Sequence, residues 1–191
     1  MINYYIICEG KSENNYLTTI NRYFRDNNID KQIIIKTLAG NNDIKNLKTY
    51  IKEFSKSKPD AIYIWLDKDI LYNDKQKNII TNIEIINKNR KQAKIDIKYS
   101  YMNFEDFLSM HFEKECKDLQ NILEKKQHFT KPLNSEEYLK IFMKIFKEYK
   151  KGDLQKILKE ITSNDVLMVK TNQNNNKCKF KCDIIELLFK D

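Results

Sequence analysis

Glycine and proline are scarce in this chain of 191 residues, which has only three glycines and two prolines. Flexible or Pro-rich linkers need these residues, so the composition predicts one substantial domain without a long linker. No apolar run approaches the roughly 18–20 residues of a membrane-spanning helix. Residues 1–7 also lack the basic start and the cleavage site of a secretory signal. We therefore expect a cytoplasmic protein with no membrane contact.

Cysteine and histidine are also few. The cysteines are Cys8, Cys116, Cys178 and Cys182. In a cytosolic chain we expect them to be reduced, and the four-residue spacing of Cys178 and Cys182, with no second pair nearby, disfavours a zinc site. Of the two histidines, His111 lies in an aromatic stretch and is either a packed core residue or a base, whereas His128 is expected to be exposed.

Basic residues are in excess, with 35 Lys and Arg against 27 Asp and Glu and a formal net charge of +8. This excess fits a polyanionic partner such as a nucleic acid. It also fits a Lys- and Asn-rich genome that places lysine at indifferent surface positions. The same two interpretations apply to a basic cluster beside the Asn-rich loop 172–177, because Lys and Asn suit phosphate and base-edge contacts. This cluster comprises Lys170, Lys177, Lys179 and Lys181.

The first hundred residues alternate between strand and helix patterns. Strands are predicted at 3–8, 32–38, 61–66 and 94–100, and helices at 12–26, 43–56 and 75–92. Strands separated by helices indicate a mostly parallel α/β sheet of about four strands flanked by helices. The strand at 94–100 alternates as a half-buried or edge strand does.

The pattern becomes mainly helical after residue 100. Helices are predicted at 104–112, 116–127, 134–160 and 183–189, with a last short strand at 166–169. The apolar stripe from Ile141 to Tyr149 is expected to be core. We interpret the whole chain as one domain, in which 1–100 is the α/β core, 101–163 a helical insertion or cap, and 164–191 the completing segment.

Carboxylates follow two of the predicted strands. Glu9 ends the first strand, and Asp67 and Asp69 end the third. Ligands bind at the carboxyl edge of an open α/β sheet, and three carboxylates gathered there would repel one another without a cation. The pattern therefore predicts a Mg²⁺ site.

The segment after Glu9 suits a phosphate. Gly10 permits a tight turn, and the N-terminus of the next helix, with Lys11 and Ser12, would attract an anion. The alternative is that Ser12 only caps the helix, while Glu13 is favoured in its first turn by the helix dipole. An Asp-x-Asp motif by itself also occurs in glycosyltransferases and in phosphatases of the haloacid dehalogenase type, although those phosphatases carry it on the first strand.

Three motifs in order resemble the Toprim domain, and within it the RloB-like proteins. The segment from Ile7 to Tyr16 resembles their EG-x-[ST]-E opening, and Trp65 to Asp69 their D-x-D strand. Tyr101 to Phe112 is similar to their FE-x-W-x-x-x-HF helix, with Phe107 in place of Trp. A sister Toprim family, the nuclease subunits paired with ABC-type ATPases, shares much of this pattern.

The resemblance implies a nuclease that cuts DNA or RNA with Mg²⁺ or Mn²⁺. Glu9 would be a metal ligand or a general acid or base, and Asp67 and Asp69 would hold the cation. Glu13 and Glu105 would complete a second metal site; the alternative is that Glu105 is an ordinary helix residue. The resemblance further implies anti-phage defence, an ATPase partner of the AAA or ABC type, and a homodimer. The alternative is a non-catalytic module that binds nucleic acid or the ATPase.

Overall fold

The computed structural model describes residues 1–38, 44–68, 74–88, 93–101, 103–150, 154 and 157–189. Strands and helices alternate as far as β4, as the sequence predicts. The elements within the described residues are β1 (Ile2–Cys8), α1 (Lys11–Asp26), β2 (Lys31–Thr37), α2 (Ile44–Ser55), β3 (Ala61–Lys68), α3 (Asp74–Lys88), β4 (Lys94–Tyr101), α4 (Phe104–Ser109), α5 (Glu113–Lys125), α6 (Ser135–Ile145), α7 (Ser163–Asn174), β5 (Lys181–Cys182) and α8 (Asp183–Leu188).

The strands form one sheet in the order β2-β1-β3-β4-β5. Strand β1 is parallel to both β2 and β3, whereas β5 is antiparallel to β4 through the pairs Ser100–Cys182 and Tyr101–Lys181. The predicted α/β class with a mostly parallel sheet is therefore confirmed. The sheet has one strand more than the four predicted, because β5 contains only two residues and leaves no periodic pattern in the sequence.

The chain divides into two compact units. The first consists of Met1–Leu66 and Tyr72–Tyr99, and the second of Asp67–Leu71 and Ser100–Asp191. The boundary after Tyr99 lies next to the predicted change from α/β to helical sequence. That the two units form one domain stays a prediction. None of the described helices combines the length and the apolar character that crossing a membrane requires.

The first unit has helices on both faces of its strands. Successive side chains of a strand point to opposite faces, so Tyr5 and Ile7 lie on one face and Ile6 and Cys8 on the other. On the second face, Tyr16 of α1 meets Trp65 edge-on, with ring centroids 6.1 Å apart. The first face packs against α2 and α3 through a cluster formed by Tyr5, Ile7, Leu38, Leu47, Ile51, Phe54, Ile62, Ile64, Leu66, Ile79, Ile83 and Ile95.

Asparagine side chains tie helices to strand backbones in this unit. Asn21 of α1 donates to the carbonyl of Ile33 and accepts from its N–H, both at 2.7 Å. Asn87 of α3 makes the same pair of bonds with Ile95, at 2.9 and 3.0 Å. Each side-chain amide thus makes the two hydrogen bonds that a neighbouring strand would make with that residue. At the edge strand β2, this satisfies one N–H and one carbonyl group that would otherwise lack a strand partner.

The core of the second unit is aromatic. Phe142 of α6 is fully buried, stacks on Phe146 at 4.5 Å, and meets Tyr149 edge-on at 4.9 Å. Ile141, Phe142, Phe146 and Tyr149 are all buried, so the predicted core stripe is confirmed at these positions.

Two secondary-structure predictions for this unit are wrong. Helix α6 ends at Ile145 rather than at 160, because Phe146 leaves the helical backbone with ψ at 76°. The predicted strand at 166–169 is part of α7. There, Thr162 and Asp165 form a capping box that starts a helix, in which Val169 is buried and Leu167 is exposed.

Candidate functional site

The carboxyl end of β1 positions the first predicted site residue. Cys8, the last residue of β1, pairs with Trp65 of β3, and because the strands are parallel, Glu9 and Leu66 come next at the same edge. Glu9 is half-buried. Asp67 follows Leu66 within β3, whereas the predicted ligand Asp69 lies outside the described residues.

Gly10 and Glu13 shape the turn from β1 into α1. Helix α1 begins at Lys11, and its N-cap is Gly10, in extended backbone, so the prediction that Ser12 caps the helix is wrong. Glu13 is buried, and a Cβ atom added to Gly10 would lie 2.9 Å from its Oε2 atom. The absence of a side chain at Gly10 therefore leaves room for the Glu13 carboxylate beside the first turn, where the helix dipole favours an acid.

The charges of Glu9 and Glu13 both affect the thiol of Cys8. Burial, together with the charges of Glu13 and Glu9, raises the pKa of Cys8 to about 12, against a hydrogen bond with Thr37 that lowers it. The Sγ atom lies 3.6 Å from the carbonyl oxygen of Gly10. Two carboxylates thus lie at the end of β1, and that they bind a ligand there stays a prediction.

In the second unit, Asp67 lies near another buried thiol. Burial, together with the weaker effect of the charges of Asp183 and Asp67, raises the pKa of Cys182 to about 12. Asp67 is half-buried, and its Oδ1 atom is buried. The sequence analysis did not single out Asp183, the first residue of α8, as an acidic neighbour of Cys182. Its place at the start of the last predicted helix was the signal that could have pointed to it.

Two adjacent carboxylates of α4 are each held by a tyrosine. Tyr149 donates a hydrogen bond of 2.7 Å to Oε1 of Glu105, and Tyr138 donates one of 2.7 Å to Oδ1 of Asp106. All four residues are buried. Burial, followed by the charges of Asp106 and Glu105, raises the pKa of Tyr138 well above its ordinary value. Both tyrosines were missed as site residues, because they lie far from the carboxylates along the chain.

Comparison with protein families assigns the chain. The family described as RloB-like protein matches residues 4–188, which include most of β1, the end of β3, α4 and the basic cluster. The chain belongs to the RloB-like family. Comparison with curated proteins and with solved structures finds no match.

The histidines of this RloB-like protein are both packed. His111 is buried and meets Phe107 edge-on at 5.8 Å, and burial lowers its pKa to about 4. The prediction that His128 is exposed is wrong, since it is only 4% exposed. Its Nδ1 atom accepts a 2.9 Å hydrogen bond from the N–H of Leu133, and its ring lies 5.5 Å from that of Tyr138. The turn after α5 therefore folds back over the imidazole.

The predicted phosphate-binding lysines are at the surface. Lys11, Lys177, Lys179 and Lys181 are exposed. Lys179 has local partners, because its Nζ atom lies 3.3 Å from a carboxylate oxygen of Glu124 and 4.9 Å from the ring centroid of Phe129. Binding of phosphate or nucleic acid by Gly10, Lys11, Ser12 and the basic cluster stays a prediction.

The donor atoms fit a hard divalent cation. Glu9, Glu13 and Asp67 offer carboxylate oxygens, which Mg²⁺ and Mn²⁺ prefer over nitrogen or sulfur. Within the part of the chain that the structure describes, no group of three or more His, Cys, Asp or Glu side chains is arranged to hold a metal ion. The cation site of this RloB-like protein therefore stays a prediction, with Asp69 outside the described residues.

Proposed function

We propose that this RloB-like protein is a Toprim nuclease that hydrolyses phosphodiester bonds in DNA or RNA with Mg²⁺ or Mn²⁺. The observation that carries the proposal is the pair of carboxylates at the end of β1: Glu9 directly follows the strand, and Oε2 of Glu13 lies 2.9 Å from the Cβ position of Gly10. The position of Asp67 at the end of β3 also supports the proposal.

Each residue has a defined part in this proposal. Glu9, Glu13, Asp67 and Asp69 would hold the cation. When bound, the cation supplies charge neutralisation at the phosphate and a more acidic water. Glu9 would also move a proton between the attacking water and the leaving oxygen.

Three further features would support the reaction. Glu105 is kept fixed by the hydroxyl of Tyr149, which suits a carboxylate that must not move during the reaction. Lys11 would attract the phosphate, and the basic cluster would attract more distant parts of the polyanion.

The cellular setting is proposed on the motif resemblance. The protein would act in the cytoplasm, in prokaryotic anti-phage defence, as a homodimer. An ATPase of the AAA or ABC type would restrain or trigger cutting.

A cleavage assay tests the proposal. Purified wild-type protein is expected to cut at least one of supercoiled DNA, linear DNA and tRNA when Mg²⁺ or Mn²⁺ is present. Asp67→Asn should abolish that cleavage, because it removes a cation ligand at the end of β3. Asp60→Asn, at the exposed residue just before the same strand, is the matched control and should cut as the wild type does. Equal cleavage by Asp67→Asn and the wild type would contradict the proposal.

A non-catalytic binding module is the second candidate. The observation that favours it is the burial of Glu105 and Asp106, each with a tyrosine hydroxyl bound to its carboxylate, as in a structural anchor. Such a module would bind nucleic acid equally well in EDTA and in Mg²⁺, and would cut none of the substrates. Fluorescence anisotropy with labelled DNA and RNA, beside the cleavage assay, distinguishes the two functions.

A further inference from the structure

A cavity of about 280 Å³ in the second unit contains two thiols in its wall. It is partly open and lies between α5 and the loop that follows α7. Its lining includes Cys116, Gln120, Asn172, Asn175, Lys177 and Cys178. Both cysteines are free thiols.

Three amides of this cavity are engaged with the backbone. Asn172 donates to the carbonyl of Met110 at 2.8 Å, and Asn175 accepts from the N–H of Lys177 at 2.9 Å. Gln120 bonds the backbone on both sides of Cys178. These amides serve to hold the loop, so the two thiols are the reactive groups of the cavity.

Gln120 holds Cys178 against α5. Its Nε2 atom donates to the carbonyl of Lys177 at 2.8 Å, and its Oε1 atom accepts from the N–H of Lys179 at 3.0 Å. Cys116 lies one helical turn before Gln120, and residues four apart share a helix face. Cys178 lies between the two backbone groups that Gln120 binds, and it lines the same cavity as Cys116.

The two thiols differ in acidity. The hydrogen bond from Cys116 lowers the pKa of Cys178, and the charge of Lys181 lowers it further, against burial. The same hydrogen bond, together with burial and the charge of Asp106, raises the pKa of Cys116. Since the thiolate is the nucleophile, Cys178 is the more reactive of the pair.

We propose that Cys116 and Cys178 form a reversible disulfide site that responds to peroxide. The proposal does not depend on the nuclease function. In the first step the Cys178 thiolate attacks one oxygen of the peroxide, the O–O bond breaks, and Cys178 becomes a sulfenic acid while hydroxide leaves. In the second step the sulfur of Cys116 attacks Cys178, the S–O bond breaks, and water leaves with the proton of Cys116. Cysteine sulfur is oxidised by two electrons overall, and the peroxide is reduced.

The other two cysteines provide internal controls. Cys8 and Cys182 are fully buried, and burial raises the pKa of each to about 12. The Sγ atom of Cys182 lies 3.8 Å from the hydroxyl of Ser100, and that of Cys8 lies 3.6 Å from the hydroxyl of Thr37. Neither thiol should react with peroxide while the protein is folded.

The test is a timed oxidation of the full-length protein with hydrogen peroxide, followed by alkylation and peptide mass spectrometry. The wild type should lose two hydrogen atoms and yield a cross-linked peptide pair with Cys116 and Cys178, which dithiothreitol separates. Cys116→Ser should accumulate a sulfenic acid at Cys178 that dimedone traps, whereas Cys178→Ser should form neither product. A cross-link through Cys8 or Cys182, or sulfenic acid at Cys116 first, would overturn the assignment.

A variant that keeps both thiols tests the geometry. Gln120→Ala removes the clamp and should slow disulfide formation by about fivefold or more, since two hydrogen bonds no longer hold the loop. Asn121→Ala, the neighbouring residue in the same cavity, is the matched control and should react at the wild-type rate. Equal rates for the two variants, or oxidation that dithiothreitol does not reverse, would overturn the proposal.

Discussion

Removal of the Tyr149 hydroxyl is expected to destabilise the protein, because that hydroxyl donates to the buried Glu105 carboxylate. Tyr149 is 2% exposed and Glu105 is 7% exposed, so little water is available to replace the bond of 2.7 Å. A hydrogen bond to a charged group contributes about 1.5–3 kcal/mol net. Phenylalanine keeps the ring and its contact with Phe142. For Tyr149→Phe we therefore expect a loss of about 2 kcal/mol in the free energy of unfolding.

The measurement is urea denaturation followed by circular dichroism, with thermal melting beside it. For a chain of this length a loss of about 2 kcal/mol lowers Tm by about 4–8 °C. Tyr138→Phe should give a similar loss, since Tyr138 makes the equivalent bond to Asp106. Tyr50→Phe, a half-buried tyrosine of α2, is the control and should change the free energy by less than about 0.5 kcal/mol. If Tyr149→Phe also changed it by less than that, the anchoring of Glu105 would be refuted.

Two other predictions concern His111 and Gly10. Burial holds the pKa of His111 at about 4, so between pH 6.5 and pH 4 the unfolded chain takes up a proton there that the native state does not. As the pH falls over that range, the free energy of unfolding measured by urea titration should fall by up to about 3 kcal/mol. His111→Gln should flatten this pH profile of stability. The same profile in the variant and the wild type would contradict the burial argument. Gly10→Ala should leave Tm nearly unchanged but weaken Mn²⁺ binding, because the new Cβ displaces the Glu13 carboxylate while φ of −133° suits alanine. In a Glu13→Ala background the same change should have no further effect on binding, and an equal loss there would contradict the contact.

Local patterns in the sequence predict much of the first unit. Apolar runs such as Ala61 to Leu66 give strands, and spaced apolar residues such as Tyr16 and Ile20 give helices, because burial on one face imposes the period. The same reasoning fails at 166–169, where Val, Leu, Met and Val favour a strand by composition. The capping box of Thr162 and Asp165 instead starts a helix there.

Contacts between distant residues are not predictable from these patterns. The bond between Tyr149 and Glu105 joins residues 44 apart, and no periodicity in the sequence links them. Cys116 and Cys178 are 62 positions apart but line one cavity, where Gln120 holds the loop onto α5. The Glu9 and Glu13 pair is different. Glu9 directly follows β1 and Glu13 lies in the first turn of α1, so local patterns predict where they stand, while their role as ligands stays a prediction.

Mn²⁺ titration by calorimetry is the most direct test of the central claim, that the carboxylates at the ends of β1 and β3 hold a divalent cation. Wild-type protein should bind Mn²⁺ with measurable heat. Glu9→Gln and Asp67→Asn should each weaken binding by about tenfold or more, since each removes a charged oxygen ligand, and Asp60→Asn should not. Absence of binding by the wild type, or equal affinity in all four proteins, would contradict the account.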